Sequence, residues 1–303
     1  MTKSNISVRF DKNAVLFFSR KDGTKIRLAL GPYTKASKPE LVDIKLTDYC
    51  QFACTFCYQG STLQGRHASM ENVSFVVNEL KKARVPEVAI GGGEPTSHPH
   101  FIEVLRMFRE AGVVPNFTTK APVWVRKNWA EIEPLIGAFA YSAETAGQIR
   151  STARLLRMIP SDRINLHYVM GLGDQEHFRE YMIAANEAGY RVTLLGYKTS
   201  GRGKDVIPHP YDWWLDEVKR LISEDLCPSL SIDTPLAAVY QDDLPLKKWN
   251  FHTEEGFASM YVDNVAMTFG ASSFQKVSEL QPFDKNWRKE YRKKSFARDG
   301  ADA

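Results

Sequence analysis

From residue 41 onward, short runs rich in β-branched residues alternate with longer stretches in which apolar residues recur every three or four positions. Such alternation constrains the fold strongly, because period two followed by period 3.6, repeated along one chain, produces βα units around a parallel sheet. Candidate strands span 41–46, 87–92, 114–119, 137–142, 164–170 and 191–197. Candidate helices span 70–84, 100–112, 124–135, 146–159, 175–189 and 212–226. In the second helix Phe101, Val104, Leu105 and Phe108 form one apolar stripe, which marks its core face. Gly112 and Gly189 stand where a glycine ends a helix. The reading is α/β, with about six βα units.

Two smaller segments flank the repeat. Residues 6–31 alternate apolar and polar around Lys21-Asp22-Gly23-Thr24 and read as a β-hairpin or meander; residues 255–275 read as a second hairpin turning at Asp263-Asn264. The expected division is therefore 1–40, a core over 41–235, and an extension over 236–303. Residues 200–211 read as a plain glycine- and proline-rich connector. The chain has 303 residues, 43% apolar and 25% charged, as a globular protein of one large domain would. It contains no apolar run of the roughly 18 to 20 residues that spans a bilayer, and its start lacks a secretion signal. No membrane association and a cytoplasmic location are expected. A net charge of +4, spread along the chain, argues against a nucleic-acid face. The basic segment 285–294 reads as a solvated terminal helix or tail.

Three of the four cysteines, Cys50, Cys54 and Cys57, lie within eight residues; Cys227 stands far away. That distribution fits a metal site in a reducing compartment better than a disulfide framework. The trio follows the first strand of the repeat, at a carboxyl end, where such sheets carry their chemistry. Thiolates separated by three and two residues can wrap a compact iron–sulfur cluster and leave one iron open. A structural zinc would instead need a fourth ligand such as Cys227, His98 or His100. Buried structural thiols are the third reading. Phe52, Phe56 and Tyr58 would shield a cluster from water.

The spacing C-x3-C-x2-C, with Phe56 before the last cysteine, resembles the signature of the radical S-adenosylmethionine (SAM) superfamily. Gly91-Gly92-Gly93-Glu94-Pro95, directly after the second strand, is similar to that family's GGEP motif. Glycines permit close approach of backbone to a ligand, and the carboxylate can accept from an ammonium group. The resemblance, over about residues 41–200, implies a partial (β/α)6 TIM-like barrel with an N-terminal β-hairpin and a short C-terminal hairpin extension. It implies one [4Fe-4S] cluster on Cys50, Cys54 and Cys57, and SAM held near Phe56, Tyr58, Gly92, Gly93, Glu94 and Pro95. By position, Ser142 would meet the ribose or cap the next helix, and Leu194–Tyr197, Leu195 included, would meet the adenine. Thr119 and His167 are further cavity residues.

The implied chemistry is reductive cleavage of SAM to a 5′-deoxyadenosyl radical that abstracts hydrogen from a substrate. Peptide-modifying members of the family carry a C-terminal extension with cysteines for auxiliary clusters. The segment 255–275 resembles that extension but contains no cysteine. A single cluster is expected, with epimerisation, rearrangement or excision of part of a residue as outcomes. Cys227 would be either a hydrogen donor or a buried thiol. Expected partners are a precursor peptide, a separate small peptide-recognition protein meeting the edge of the 6–31 sheet, and an electron donor such as flavodoxin or ferredoxin. A radical SAM enzyme acting on a nucleotide or other small metabolite, and a non-enzymatic zinc-binding module, are the competing readings.

Overall fold

The computed structural model describes residues 5–244 and 253–293, apart from 12, 22 and 32–34. Asp22 of the expected turn and Lys294 of the basic segment lie outside the described residues. Elements follow in chain order as β1 (Ile6–Asp11), β2 (Ala14–Ser19), β3 (Lys25–Ala29), β4 (Leu41–Thr47), α1 (Met70–Ala83), β5 (Glu87–Gly92), α2 (Phe101–Glu110) and β6 (Val114–Thr119). Then come α3 (Pro122–Ile132), β7 (Phe139–Tyr141), α4 (Ala146–Leu155), β8 (Ile164–Val169), α5 (Gln175–Glu187), β9 (Arg191–Leu195), α6 (Trp214–Ser223), β10 (Leu230–Ile232) and α7 (Thr234–Val239). The order ends with β11 (Ser259–Asp263), β12 (Thr268–Gly270), β13 (Gln281–Pro282) and α8 (Trp287–Lys293).

Strands β4 to β9 are neighbours in sequence order and all parallel, so the six expected βα units form one curved wall. Helix-facing side chains of that wall are sealed: Val42, Val88, Leu166, Val192 and Leu194 are each 0% exposed. Side chains on the other, concave face, such as Asp43, His167 and Leu195, stay partly accessible. Caps set helix starts: Ser69, Thr145 and Asp174 each accept from a backbone N–H in the first turn. Ser142 does not cap α4, because Thr145 does.

The expected strand 137–142 is shortened to Phe139–Tyr141. Asn116 Oδ1 accepts from Ala138 N at 2.9 Å and so replaces a strand partner there. Strand β9 stops at Leu195 for a related reason, with Gly196 N donating to Asp233 Oδ1 at 2.9 Å. Strand β10, which adds to β9 in parallel, and α7 are not among the expected elements. Strand β11 lies parallel against β4, so the extension continues the main sheet, which runs open from β10 to β13.

The segment 6–31 forms a separate three-stranded antiparallel sheet, the meander option. It sits at the amino ends of the barrel strands, where Lys25 pairs with Glu87, the first residue of β5, at 2.8 Å. The basic segment is not a solvated tail. Trp287 and Tyr291, one turn apart on α8, are each 0% exposed, and Trp287 stacks on Phe283 at 5.3 Å. Its indole donates to Glu79 Oε2 of α1 at 3.2 Å.

Candidate active site

The loop after β4 carries the cysteine trio and is tied down by its own backbone. Asp48 N donates to Arg66 O at 2.8 Å, Cys50 N to Thr62 O at 2.9 Å and Cys57 N to Cys54 O at 3.2 Å. Glu94 N donates to Tyr49 O at 2.8 Å, which joins this loop to the glycine run after β5. A Cβ on Gly93 would lie 1.9 Å from Tyr49 O, so only glycine lets the two loops cross. All three thiols are unbridged and partly accessible. Burial pushes the Cys50 thiol up from its ordinary value.

Glu94 is 2% exposed and already holds four protein donors. Its Oε1 accepts from Thr96 N at 3.2 Å, Thr96 Oγ1 at 2.7 Å and Thr119 Oγ1 at 2.7 Å; Oε2 accepts from Lys120 N at 2.9 Å. The carboxylate therefore ties the ends of β5 and β6 together, and only Oε2 keeps acceptor capacity toward a ligand. Thr119 belongs to this network.

Two charged side chains at the same rim were not singled out from the sequence. Lys120, the first residue after β6, brings Nζ within 3.1 Å of Cys54 Sγ and pairs with Glu144. Burial alone would lower this ammonium, but Glu144 and Cys54 raise it. Arg202 lies in the segment expected to be a plain connector, which is corrected here. Its Nε donates to Cys54 O at 2.9 Å, its Nη1 to Ser61 O at 2.8 Å and its backbone N to Cys57 O at 2.9 Å. Ser200 Oγ adds a bond to Tyr58 O at 3.1 Å. Gly201 (φ 55°) would place a Cβ 2.4 Å from Tyr58 O. This turn is a clasp between β9 and the cysteine loop, two elements that the open sheet does not pair. A signal was available: Lys120 and Arg202 stand just past strand ends, where the fold concentrates chemistry.

Of the other expected residues, Tyr58 accepts from Ser273 Oγ of the extension at 3.1 Å, Phe56 lies under Lys120 Nζ at 5.6 Å, and Pro95 starts a buried turn. Ser142, at the end of β7, donates its backbone N to Thr119 O at 3.1 Å. Leu195 and His167 face the concave side from β9 and β8. Two proposed fourth zinc ligands are committed elsewhere. His98 Nε2 lies 2.9 Å from Ala68 O, and Cys227 lies between α6 and β10, at the amino ends of the strands. Among the described residues no three His, Cys, Asp or Glu side chains form a site for one metal ion. The residues present instead fit a larger group: three accessible thiols on one loop, a cation beside one of them, and Gly91, where a Cβ would meet nothing within 4 Å.

Residues 44–223 match the Radical SAM superfamily. The chain is 30% identical over 96 residues to a PqqA peptide cyclase of Rhodopseudomonas palustris, covering 31% of this chain and 26% of that protein. It is 24% identical over 209 residues to the mycofactocin maturase MftC of Mycobacterium tuberculosis, covering 60% and 53%. The chain thus spans at most about half the length of these relatives. Among solved structures, SuiB of Streptococcus suis bound to S-adenosylmethionine superposes with a TM-score of 0.71 at 14% identity, covering 96% of this chain and 87% of SuiB. The family uses a [4Fe-4S] cluster and SAM, and a match over residues 44–223 takes in more than half of the sequence. On that evidence the chain belongs to the radical SAM superfamily.

Proposed function

We propose that this protein is a single-cluster radical SAM enzyme that modifies a ribosomally made peptide. The observation that carries the proposal is the cysteine loop at the end of β4, crossed by Gly93 and held by Arg202. Cys50, Cys54 and Cys57 would hold the cluster. When bound, cluster and SAM supply a 5′-deoxyadenosyl radical that takes hydrogen from a substrate carbon. The chain's own residues bind, orient and exclude water. Phe56 and Tyr58 would cover the thiols; Glu94 Oε2 would offer an acceptor to the amino group of SAM; Ser142 and Leu195 would line the space toward ribose and adenine. Glycines 92 and 93 and Pro95 keep the second loop close to the first.

A peptide substrate is supported by the names of the relatives, a peptide cyclase and a maturase. The extension supports it too: it places Ser273 on Tyr58 and so forms one wall of the site. That extension contains no cysteine. We propose a reaction that needs no auxiliary cluster: epimerisation, rearrangement or excision. Placement of Cys227 at the opposite end of the strands, with a thiol pushed up by burial, favours its role as a packed side chain over that of hydrogen donor. We propose the functional units 1–40, 41–235 and 236–303, an external flavodoxin- or ferredoxin-type donor, and a separate small protein that presents the precursor along the edge of the β1–β3 sheet.

The test is co-expression with short peptides encoded beside the gene, in deuterated medium, read by mass spectrometry. The proposal expects solvent deuterium at one residue or loss of part of a residue. Unmodified peptides together with consumption of a nucleotide would overturn it.

A further inference from the structure

Below the rim that carries the cysteines, the concave face of the sheet holds charged groups that the proposed chemistry leaves unused. Asp43, in the middle of β4, projects from this face beside Tyr261 of β11. Its distance from Thr47, where β4 ends, is roughly 13 Å at about 3.3 Å per residue. Asp43, His167, Thr193 and Leu195 stay partly accessible, whereas Val42, Leu166, Val192 and Leu194 on the opposite face are 0% exposed.

Among the described residues Asp43 has no hydrogen bond or ion pair, although it is only partly accessible. A carboxylate that lies partly out of water without a partner loses some of its hydration, and a binding partner offsets that loss. The cations nearby are already shared. Lys198 Nζ meets Asp233 Oδ2 at 3.1 Å and lies over the rings of Tyr58 and Phe274, 5.4 Å from each. Lys45 pairs with both Asp48 and Asp263. Lys45 and Lys198 are thus taken up by the three carboxylates of Asp48, Asp263 and Asp233, which leaves Asp43 without an ion pair.

We propose that this space binds a cationic group of the substrate, a primary ammonium or a guanidinium, with the Asp43 carboxylate as its counter-ion. Charge decides the class of ligand. A cation reduces the negative excess, while an anion drawn to Lys198 would add to it. The aromatic rings of Tyr58 and Tyr261 suit the stem of a lysine or arginine side chain. A group anchored on Asp43 would leave the adjoining part of the substrate directed toward the cysteine rim. The inference deepens the reading of a radical SAM enzyme and rests on it only for the identity of the ligand as substrate.

Several groups set the charge at Asp43: Lys198 past β9, Glu87 on β5, Lys45 on its own strand, Tyr261 and Asp263 on β11, and His167 on β8. Burial raises the Asp43 carboxyl to about 6, with Lys198 opposing and Glu87 adding to the rise. Burial, then Lys198, pushes His167 down to about 4, so its imidazole is neutral near pH 7. A carboxyl raised in this way is ionised above about pH 6, and cation binding should fade as pH drops through that value.

The test is a ligand-observed NMR titration of the cluster-reconstituted, SAM-loaded enzyme with n-butylammonium, n-propylguanidinium, n-butanol and butyrate. Both cations should bind in mutual competition, the alcohol and the acid should bind more weakly, and Asp43→Asn should weaken the cations about tenfold or more. Asp216→Asn, on the exposed face of α6, should change nothing. Preferred binding of butyrate, or cation affinity unchanged in Asp43→Asn, would overturn the proposal. The wild-type pH series needs no variant: loss of cation affinity below about pH 6 supports the site, and a flat profile contradicts it. Because no probe is a peptide, a positive result beside unmodified peptides would sink the peptide reading and leave the site standing.

Discussion

The carboxyl-end and amino-end rims of β4 to β9 are closed in different ways. At the carboxyl ends, polar contacts pin loops around accessible thiols: Glu94 joins β5 to β6, and Arg202 clasps the cysteine loop. At the amino ends a small sheet with buried Ala14, Leu16 and Phe18 is tied on by Lys25–Glu87 and Arg27–Glu40 pairs. Cysteine occurs at both. The trio is held where a ligand can reach it, and Cys227 is packed against the core. Polar pinning fixes a loop without filling the space beside it, whereas apolar closure fills that space.

Substitutions that separate the rims should have graded effects. Replacing Cys50, Cys54 or Cys57 by alanine should remove the cluster and abolish SAM cleavage, while Cys227→Ala should keep full iron content and cleavage. Iron assay and 5′-deoxyadenosine formation read both. Next in size, Leu166→Ala on the helix-facing side should cost about 2 to 5 kcal/mol in urea unfolding, yet leave iron per folded molecule unchanged. Arg202→Ala removes two side-chain hydrogen bonds to the cysteine loop, at about 0.5 to 1.5 kcal/mol each. Its signature should be faster loss of iron to a chelator, with little change in the melting of the apo-protein, and Arg202→Lys should fall between. Lys219→Ala, which breaks an exposed ion pair on α6, should change stability by less than about 1 kcal/mol and leave the site untouched.

The comparison also explains what could be read from the sequence. Period and glycine placement located all six core strands, because the helix-facing positions of β4, β5, β8 and β9 are near-continuously apolar and their burial dominates. The cysteine spacing and the glycine run named the two crossing loops. Pairing across the open side of the sheet was not legible, since neither β11 against β4 nor Arg202 against Cys54 leaves a local pattern. Basic residues in α8 concealed a buried face, because Trp287 and Tyr291 are only two apolar positions in a charged run. Asp43 was read only as part of a strand; its unpaired state is a property of the space around it.

The central claim, one cluster on Cys50, Cys54 and Cys57, is tested most directly by iron and sulfide analysis of anaerobically reconstituted protein, with low-temperature EPR of the reduced sample. The account predicts four iron and four sulfide per chain, with a reduced-cluster signal that changes on addition of SAM and is absent from the Cys54→Ala variant. A colourless protein holding one zinc, or one holding eight iron, would contradict it.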